Sequence, residues 1–186
     1  MRKLIYAINM TLDGYCDHTK FNPDAEVLDY FTSLTRDADT FVYGRKTYEL
    51  MVPYWPDIAT HNSGQTNADN EFAQAFDAIS KIVVFSKSLD KAEGKNTTIV
   101  RTDLQNEILK LKQEQGKNIL AGGVNIPSQL MELGLIDEYR FVVHPIVAGE
   151  GRRLFEDSRL QERLQLKLVG SETFKSGCVA LHYVKA

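Results

Sequence analysis

The chain has 186 residues, a formal net charge of −3 at pH 7 and a hydrophobic content of 43%. This length suits one domain with a sizeable core, so we predict a single domain over residues 1–186. Acidic and basic residues are interspersed, which argues against nucleic acid or an anionic membrane as partner. No apolar segment approaches the length of a membrane span. The two cysteines, Cys16 and Cys178, form no disulfide framework, and we predict a cytoplasmic protein.

The first 134 residues alternate between strand and helix patterns. In residues 24–36, apolar residues recur at helical spacing behind a Pro23–Asp24 start signal. Residues 81–86 form an unbroken apolar run, which is typical of a strand buried on both faces. The predicted strands are 3–9, 40–43, 81–86, 98–100 and 118–121, and the predicted helices are 24–36, 45–51, 69–76, 103–116 and 126–134. Such alternation predicts a largely parallel sheet covered by helices on both faces.

Residues 53–70 break this alternation. They are rich in Pro, Asn, Gly and Ser, and this composition predicts a long loop or a mobile flap. Tyr54 and Trp55 lie inside the segment. Their flat apolar rings either cap a ligand or anchor the loop to the core.

The C-terminal part changes to strand patterns with few helix signals. Strands are predicted at residues 138–147, 164–174 and 178–185, and Ser176–Gly177 marks a hairpin turn. The sheet is therefore expected to end in antiparallel strands. The predicted fold class is α/β, a three-layer αβα sandwich around a mostly parallel mixed sheet.

Three junctions between a strand and the following segment share a pattern of glycine or polar residues. They are 44–47, 86–88 and 122–125, and the ends of parallel strands lie along one edge, where ligands bind. Arg45, Lys46 and Thr47 at a helix start, with Ser86 and Lys87 nearby, predict a site for phosphate groups. The Gly122–Gly123 pair permits close approach of a ligand to the backbone. The alternatives are a tight turn at the glycines and a solvated surface at Arg45–Lys46.

Several other kinds of site lack their sequence signatures. The chain contains neither the G-x-G-x-x-G dinucleotide fingerprint nor a G-x-x-x-x-G-K-[ST] phosphate loop. No serine stands in a nucleophile elbow. His18, His61, His144 and His182 occur singly, so we predict no metal site.

Five segments in order resemble the dihydrofolate-reductase-like superfamily. They are T-L-D-G (11–14), Y-G-R-K-T-Y-E (43–49), K-I-V-V-F-S-K (81–87), A-G-G-V-N-I-P (121–127) and H-P-I-V-A-G-E-G-R-R-L-F (144–155). The last segment is similar to the reductase domain of bifunctional riboflavin-biosynthesis deaminase-reductases and its stand-alone relatives. The resemblance runs from Lys3 to Tyr183. The H-x-E and P-C-x-x-C elements of a zinc deaminase are absent from these 186 residues.

The resemblance implies an NADPH site at the three junctions. Arg45, Lys46 and Thr47 would hold cofactor phosphates, and Ser86 and Lys87 would lie near the 2′-phosphate. The complete implied cofactor set is Ala7, Asn9, Thr11, Gly44, Arg45, Lys46, Thr47, Ser86, Lys87, Gly122, Gly123, Val124 and Asn125. In this set the backbone of Ala7, Asn9 and Thr11 faces the nicotinamide amide, and residues 122–125 line the pyrophosphate and nicotinamide. These junctions contain no acidic residue, and an acidic residue there would have selected NADH over NADPH.

The function expected from the resemblance is hydride transfer from NADPH to a small heterocyclic or ribosylaminopyrimidine-like substrate. The candidate acids are Asp13 in the T-L-D-G turn and Glu26 and Asp29 on the first helix. Asp13 fits the alternative of a turn residue that binds its own backbone equally well. Alternative functions are a dihydrofolate or pterin reductase, a nucleotide-binding protein without turnover, and a purely structural domain. The resemblance also implies a homodimer, and it leaves Arg152–Arg153 as either a phosphate contact or solvated surface.

Overall fold

A computed structural model of the chain describes residues 1–94, 96–156 and 159–186. In those residues eight strands form one sheet in the order β4-β3-β2-β5-β1-β6-β8-β7. The strands are β1 Leu4–Thr11, β2 Ala38–Gly44, β3 Lys81–Phe85, β4 Thr97–Val100, β5 Asn118–Ala121, β6 Glu138–His144, β7 Leu166–Thr173 and β8 Val179–Lys185. Strands β1 to β6 are mutually parallel, whereas β8 pairs antiparallel with both β6 and β7. The predicted mixed sheet with antiparallel C-terminal strands is confirmed.

Helices cover both faces of the sheet. Successive strand residues point to opposite sides, so the apolar strands present apolar side chains on both faces. The helices are α1 Ala25–Arg36, α2 Arg45–Met51, α3 Tyr54–His61, α4 Asn67–Asp77, α5 Leu104–Gln113 and α6 Asn125–Glu132. Leu4 packs with Ile108 of α5 and Leu130 of α6. Its neighbour Ile5 packs on the opposite face, with helices α1 to α4. The result is the predicted three-layer arrangement. Within the described residues no helix has the length and apolar character needed to cross a membrane.

The prediction of a loop over residues 53–70 is wrong. Helix α3 occupies its first half, and α4 begins two residues before the predicted start of that helix. Pro53 is the N-cap of α3 and Pro56 lies in its first turn, where the missing N–H has no helical partner in any case. Asn62 ends α3 in the left-handed conformation, with φ of 50°. A capping box between Thr66 and Asp69 then starts α4.

The two aromatic residues of this segment have different environments. The ring centroid of Trp55 lies 4.6 Å from that of Phe72 on α4, within the core on this face of the sheet. Tyr54 is 55% exposed. Trp55 therefore anchors α3 to the core, which was one of the two expected roles.

Candidate functional site

The carboxyl ends of six parallel strands lie along one edge of the sheet. In the register of the sheet, Ala121 of β5 stands between Tyr6 of β1 and Val42 of β2. On the far side of β2, Gly44 is opposite Phe85 of β3. The three predicted junctions therefore follow neighbouring strands, β3, β2 and β5, and lie side by side at this edge.

The Gly122–Gly123 turn is packed directly against the first turn of α2. Gly123 has φ of 82°, and a Cβ placed there would collide with the Thr47 side chain. A Cβ at Gly122 would lie 2.9 Å from Cε1 of Tyr43. The Tyr6 hydroxyl also donates a hydrogen bond of 2.8 Å to the Gly123 carbonyl. The glycines are therefore required by a tight turn and close packing, and this packing joins two of the predicted junctions.

The predicted cationic residues are exposed at this edge. Arg45 forms an ion pair with Glu49 on the next turn of α2, with an Nη1–Oε1 distance of 3.4 Å, and both side chains are 45% exposed. Among the residues that the structure describes, no ion pair involves Lys46 or Lys87. A surface pair such as Arg45–Glu49 contributes little energy, so all three cations are available to an anion.

The segment after β3 forms a compact turn around Ser86. Its Oγ accepts hydrogen bonds from the backbone N–H of Ser88 (3.2 Å) and of Leu89 (3.0 Å). The turn leaves Lys87 exposed at the sheet edge. Arg101, which directly follows β4, donates from Nη2 to the Leu89 carbonyl at 2.6 Å. Arg101 was missed by the sequence analysis, although its position after a predicted strand gave the same signal as the other junctions.

Asp13 clamps two loops together at the end of β1. Its carboxylate accepts hydrogen bonds from the Thr11 hydroxyl at 2.6 Å, the Ala148 N–H at 3.1 Å and the Gly149 N–H at 2.8 Å. The Thr11 bond, together with the two backbone bonds, lowers the pKa of Asp13 to about 2. Asp13 is therefore ionised at neutral pH, as suits a loop clamp and not a proton donor.

The other two predicted acids lie apart from Asp13. Glu26 accepts a hydrogen bond of 2.7 Å from the Lys175 backbone N–H and lies 3.3 Å from its Nζ, which ties α1 to the turn between β7 and β8. Asp29 is exposed on α1. No hydrogen bond or ion pair engages its carboxylate within the described ranges. The structure does not gather the three acids into one group.

His144, at the end of β6, was considered in the sequence analysis only as a metal ligand, and the structure gives it other partners. It is 3% exposed, and its ring stacks on Phe21 with centroids 4.4 Å apart and planes 11° apart. Its Nε2 lies 2.9 Å from Oδ1 of Asn9, and its Nδ1 lies 3.3 Å from Sγ of Cys178. Burial lowers the pKa of His144, which keeps the ring neutral at pH 7. No local sequence pattern connects these residues.

The segment after β6 folds over the start of α6. Arg152 donates from Nη2 to Oδ1 of Asn125 at 2.8 Å, and its Nε lies 2.9 Å from Oε1 of Glu156. The guanidinium of Arg153 lies 5.0 Å from the centre of the Tyr15 ring. Both arginines therefore make contacts within the protein, and Arg152 fixes the side chain of a predicted cofactor-binding residue.

Comparison with known sequences assigns the family. Residues 2–180 match the family model described as the RibD C-terminal domain. The chain belongs to this family. It is 32% identical over 186 residues to YyaP of Bacillus subtilis (strain 168), covering 98% of this chain and 94% of YyaP. A second B. subtilis protein, YwjB, is 29% identical over 197 residues, covering 100% and 99% of the two chains.

Solved structures with the same fold include stand-alone and bifunctional proteins. A putative riboflavin biosynthesis protein from Shewanella sp. PV-4 has a TM-score of 0.74 and 20% identity, with 100% of this RibD C-terminal domain and 99% of that chain covered. The deaminase/5-amino-6-(5-phosphoribosylamino)uracil reductase of Thermotoga maritima has a TM-score of 0.67 and 15% identity. There the match covers 100% of this chain and 57% of the other. The predicted resemblance is confirmed, and at these identities the structural likeness establishes the fold.

Proposed function

We propose that this chain is an NADPH-dependent reductase that transfers a hydride to a small heterocycle of the ribosylaminopyrimidine type. The observation that carries the proposal is the convergence at one sheet edge of the cationic first turn of α2, the Ser86–Lys87 turn and the Gly122–Gly123 turn. Membership of the RibD C-terminal domain family supports reduction as the reaction class. The T. maritima relative is named as a reductase of a phosphoribosylaminouracil, which supports the substrate class.

The charges at this edge fit an anionic dinucleotide. Lys46 and Lys87 are exposed, and neither has an acidic partner in the described part of the chain. In the proposal, Arg45, Lys46 and Thr47 bind the pyrophosphate, while Ser86 and Lys87 bind the 2′-phosphate that distinguishes NADPH from NADH. Arg101, fixed beside the Ser86 turn, adds positive charge there.

The protein contributes orientation and exclusion of water. NADPH, when bound, supplies the hydride. In the proposal, the turn at residues 122–125 forms one wall, and the backbone of Ala7, Asn9 and Thr11 holds the carboxamide. The turn is suited to this role because the Tyr6 hydroxyl and the Arg152 guanidinium fix Gly123 and Asn125 in place.

The proton that completes the reduction needs a separate source. Asp13 is ionised and Glu26 is bound to Lys175, so neither carboxyl group is placed to donate. We propose that water delivers the proton, with Asp29 as the competing candidate. Replacing Asp29 with Asn separates the two: an unchanged kcat supports water, and a large decrease in kcat supports Asp29.

A binding protein without turnover is the second candidate function. It is favoured by the state of two predicted acids, because Asp13 is ionised and Glu26 is bound to Lys175. The test is to titrate the protein with NADPH by fluorescence and then to follow NADPH oxidation with a panel of ribosylaminopyrimidines and pterins. Saturable binding with oxidation of a ribosylaminopyrimidine supports the reductase, and turnover of pterins alone supports the folate alternative. Binding without any oxidation supports the second candidate, and the lack of saturable binding overturns both.

We further propose that the protein acts as a homodimer in the cytoplasm. Leu168 and Val169 on β7, one of the two outer strands of the sheet, are 49% and 46% exposed. An outer strand with exposed apolar residues offers a surface for pairing with another chain. Light scattering after size-exclusion chromatography should give twice the chain mass of 21.1 kDa. A mass of one chain would contradict the dimer.

A further inference from the structure

Three side chains on or next to adjacent strands of the sheet form a hydrogen-bonded chain at the candidate site. Cys178, just before β8, lies 3.3 Å through its Sγ from Nδ1 of His144 on β6. Nε2 of His144 in turn lies 2.9 Å from Oδ1 of Asn9 on β1. Cys178 and His144 are 4% and 3% exposed, so water does not compete for these contacts.

The chemistry of the three groups decides which atom donates and which accepts at each step of this hydrogen-bond chain. A neutral imidazole has one nitrogen that donates and one that accepts. The S–H of a thiol is a weak donor and its sulfur a weak acceptor, so the favoured order has the S–H of Cys178 donate to Nδ1 of His144. Nε2 then carries the ring hydrogen and donates to the carbonyl oxygen of Asn9. The reverse order would oblige an N–H group to rely on sulfur as its acceptor.

The surroundings of His144 hold the ring in this orientation. Phe21 stacks on one face of the ring, with centroids 4.4 Å apart. Asp24, the N-cap of α1, is the charged group whose field reaches the ring, and its effect is smaller than that of burial. Burial lowers the pKa of His144, so the ring stays neutral and keeps one donor and one acceptor.

The fixed carbonyl of Asn9 leaves its amide nitrogen available. Asn9 is half-buried, and alternation along β1 places it with Ala7 and Thr11 on the face that α1 covers. Within the described ranges, no hydrogen bond engages the amide nitrogen of Asn9. With Oδ1 held by His144, its two N–H groups are the donors that remain for a ligand.

We propose that Cys178, His144 and Asn9 form a directional hydrogen-bond chain that presents the Asn9 amide as a donor, so the site selects a ligand with a carbonyl oxygen at that point. The inference deepens the proposed function and rests on it. The carbonyl belongs either to the nicotinamide carboxamide or to the pyrimidine ring of the substrate. His144 and Cys178 are positioning residues, because they act through Asn9.

The direction of the hydrogen-bond chain is tested first, on the protein without ligand. Long-range ¹⁵N–¹H spectra of the histidine rings report which nitrogen carries the hydrogen. We expect His144 in the Nε2–H form, and we expect Cys178→Ala to produce a mixture of both tautomers. An Nδ1–H tautomer in the unmodified protein would overturn the proposal, whether or not the protein binds NADPH.

The consequence for the ligand is tested with substitutions at Asn9 and His144. Asn9→Asp replaces the donor with an acceptor, and we expect at least about tenfold weaker binding or a comparable rise in KM. His144→Phe keeps the stacking on Phe21 but releases the Asn9 amide, and we expect the Kd or the KM to rise about fivefold. His61→Phe, at the exposed end of α3, is the matched control and should change neither value. If His144→Phe does not fold, Asn9→Asp and Cys178→Ala still decide the question.

The two sources of the carbonyl give different results. A weaker Kd for NADPH in Asn9→Asp assigns the carboxamide as the acceptor. An unchanged Kd for NADPH with a raised KM for the ribosylaminopyrimidine assigns the substrate. If the unmodified protein fails to bind NADPH, the proposed function is wrong. The spectra of the histidine rings still test the direction of the hydrogen-bond chain in that case. Unchanged binding and unchanged KM in Asn9→Asp overturn the inference itself.

Discussion

The two edges of the parallel part of the sheet use basic residues in opposite ways. At the amino-terminal edge, the Arg2 side chain is 4% exposed and donates to the Lys117 carbonyl at 2.6 Å, to Thr40 Oγ1 at 2.8 Å and to the Asp39 carboxylate. At the carboxyl-terminal edge, Lys46 and Lys87 are exposed and, in the described residues, form no ion pair.

This difference separates structural charges from charges available to a ligand. A buried cation must have its donors satisfied, and Arg2 finds its partners within the protein. The lysines at the other edge remain hydrated, and an anionic ligand can displace that water. The proposed assignment of the carboxyl-terminal edge to NADPH follows from this contrast in burial and partners.

The largest effect on stability is expected at the amino-terminal edge. Arg2→Met removes the cation and leaves Asp39 without its main partner, so the free energy of unfolding should fall by about 3 kcal/mol. Urea unfolding measures this change. Lys110→Met, at a position on α5 that is 71% exposed, should stay within about 0.5 kcal/mol. A weaker affinity of folded Arg2→Met for NADPH would show that the two edges are not independent.

A smaller effect, on binding alone, is expected at the carboxyl-terminal edge. Lys87→Ala removes one charge-assisted hydrogen bond to the 2′-phosphate, which is worth about 1.5–3 kcal/mol. The Kd for NADPH measured by calorimetry should rise about tenfold to a hundredfold, while the Kd for NADH and the unfolding free energy stay unchanged. Lys110→Ala is the control. Equal losses for NADPH and NADH would contradict the assignment of Lys87 to the 2′-phosphate.

The packing of the glycine turn gives a third prediction. Gly123→Ala places a Cβ against Thr47 at a position with φ of 82°, and we expect about 2 kcal/mol of lost stability together with weaker NADPH binding. Gly149 has a similar φ of 74°, and no atom beyond its two chain neighbours would lie within 4 Å of a Cβ in Gly149→Ala. Gly149→Ala should therefore lose only the stability that a side chain costs at a positive φ. Equal effects of the two substitutions on unfolding and binding would remove the argument that the turn and α2 act together.

The smallest effect concerns the pH dependence of the Asp13 clamp. The folded state lowers the pKa of Asp13 from its usual 3.8 to about 2, so the carboxylate stabilises the folded form above about pH 4. This contribution is lost as the pH falls toward 2. The amide proton shifts of Ala148 and Gly149 should titrate with a midpoint near pH 2. In Asp13→Asn this titration should be absent, and its persistence would assign it to another group.

The strand ends show how far the sequence alone reaches. The apolar runs predicted the strands, and the breakers after them located the starts of α2 and α6 to within one residue. These features are local, because hydrophobic periodicity and glycine positions act over a few residues. The prediction for residues 53–70 was wrong because such local features do not report tertiary packing. The composition of these residues suggested a loop, but the packing of Trp55 on Phe72 stabilises a helix there.

The sequence by itself determined the alternation of strands and helices, the parallel sheet and the three junctions that share one edge. Only the tertiary structure decided the strand order, the clamp formed by Asp13 and the partners of His144. Asn9 and His144 are 135 residues apart in the chain, and Ala148 and Asp13 are also 135 apart. Such contacts arise from the pairing of distant strands, and periodicity cannot encode which distant residues will meet.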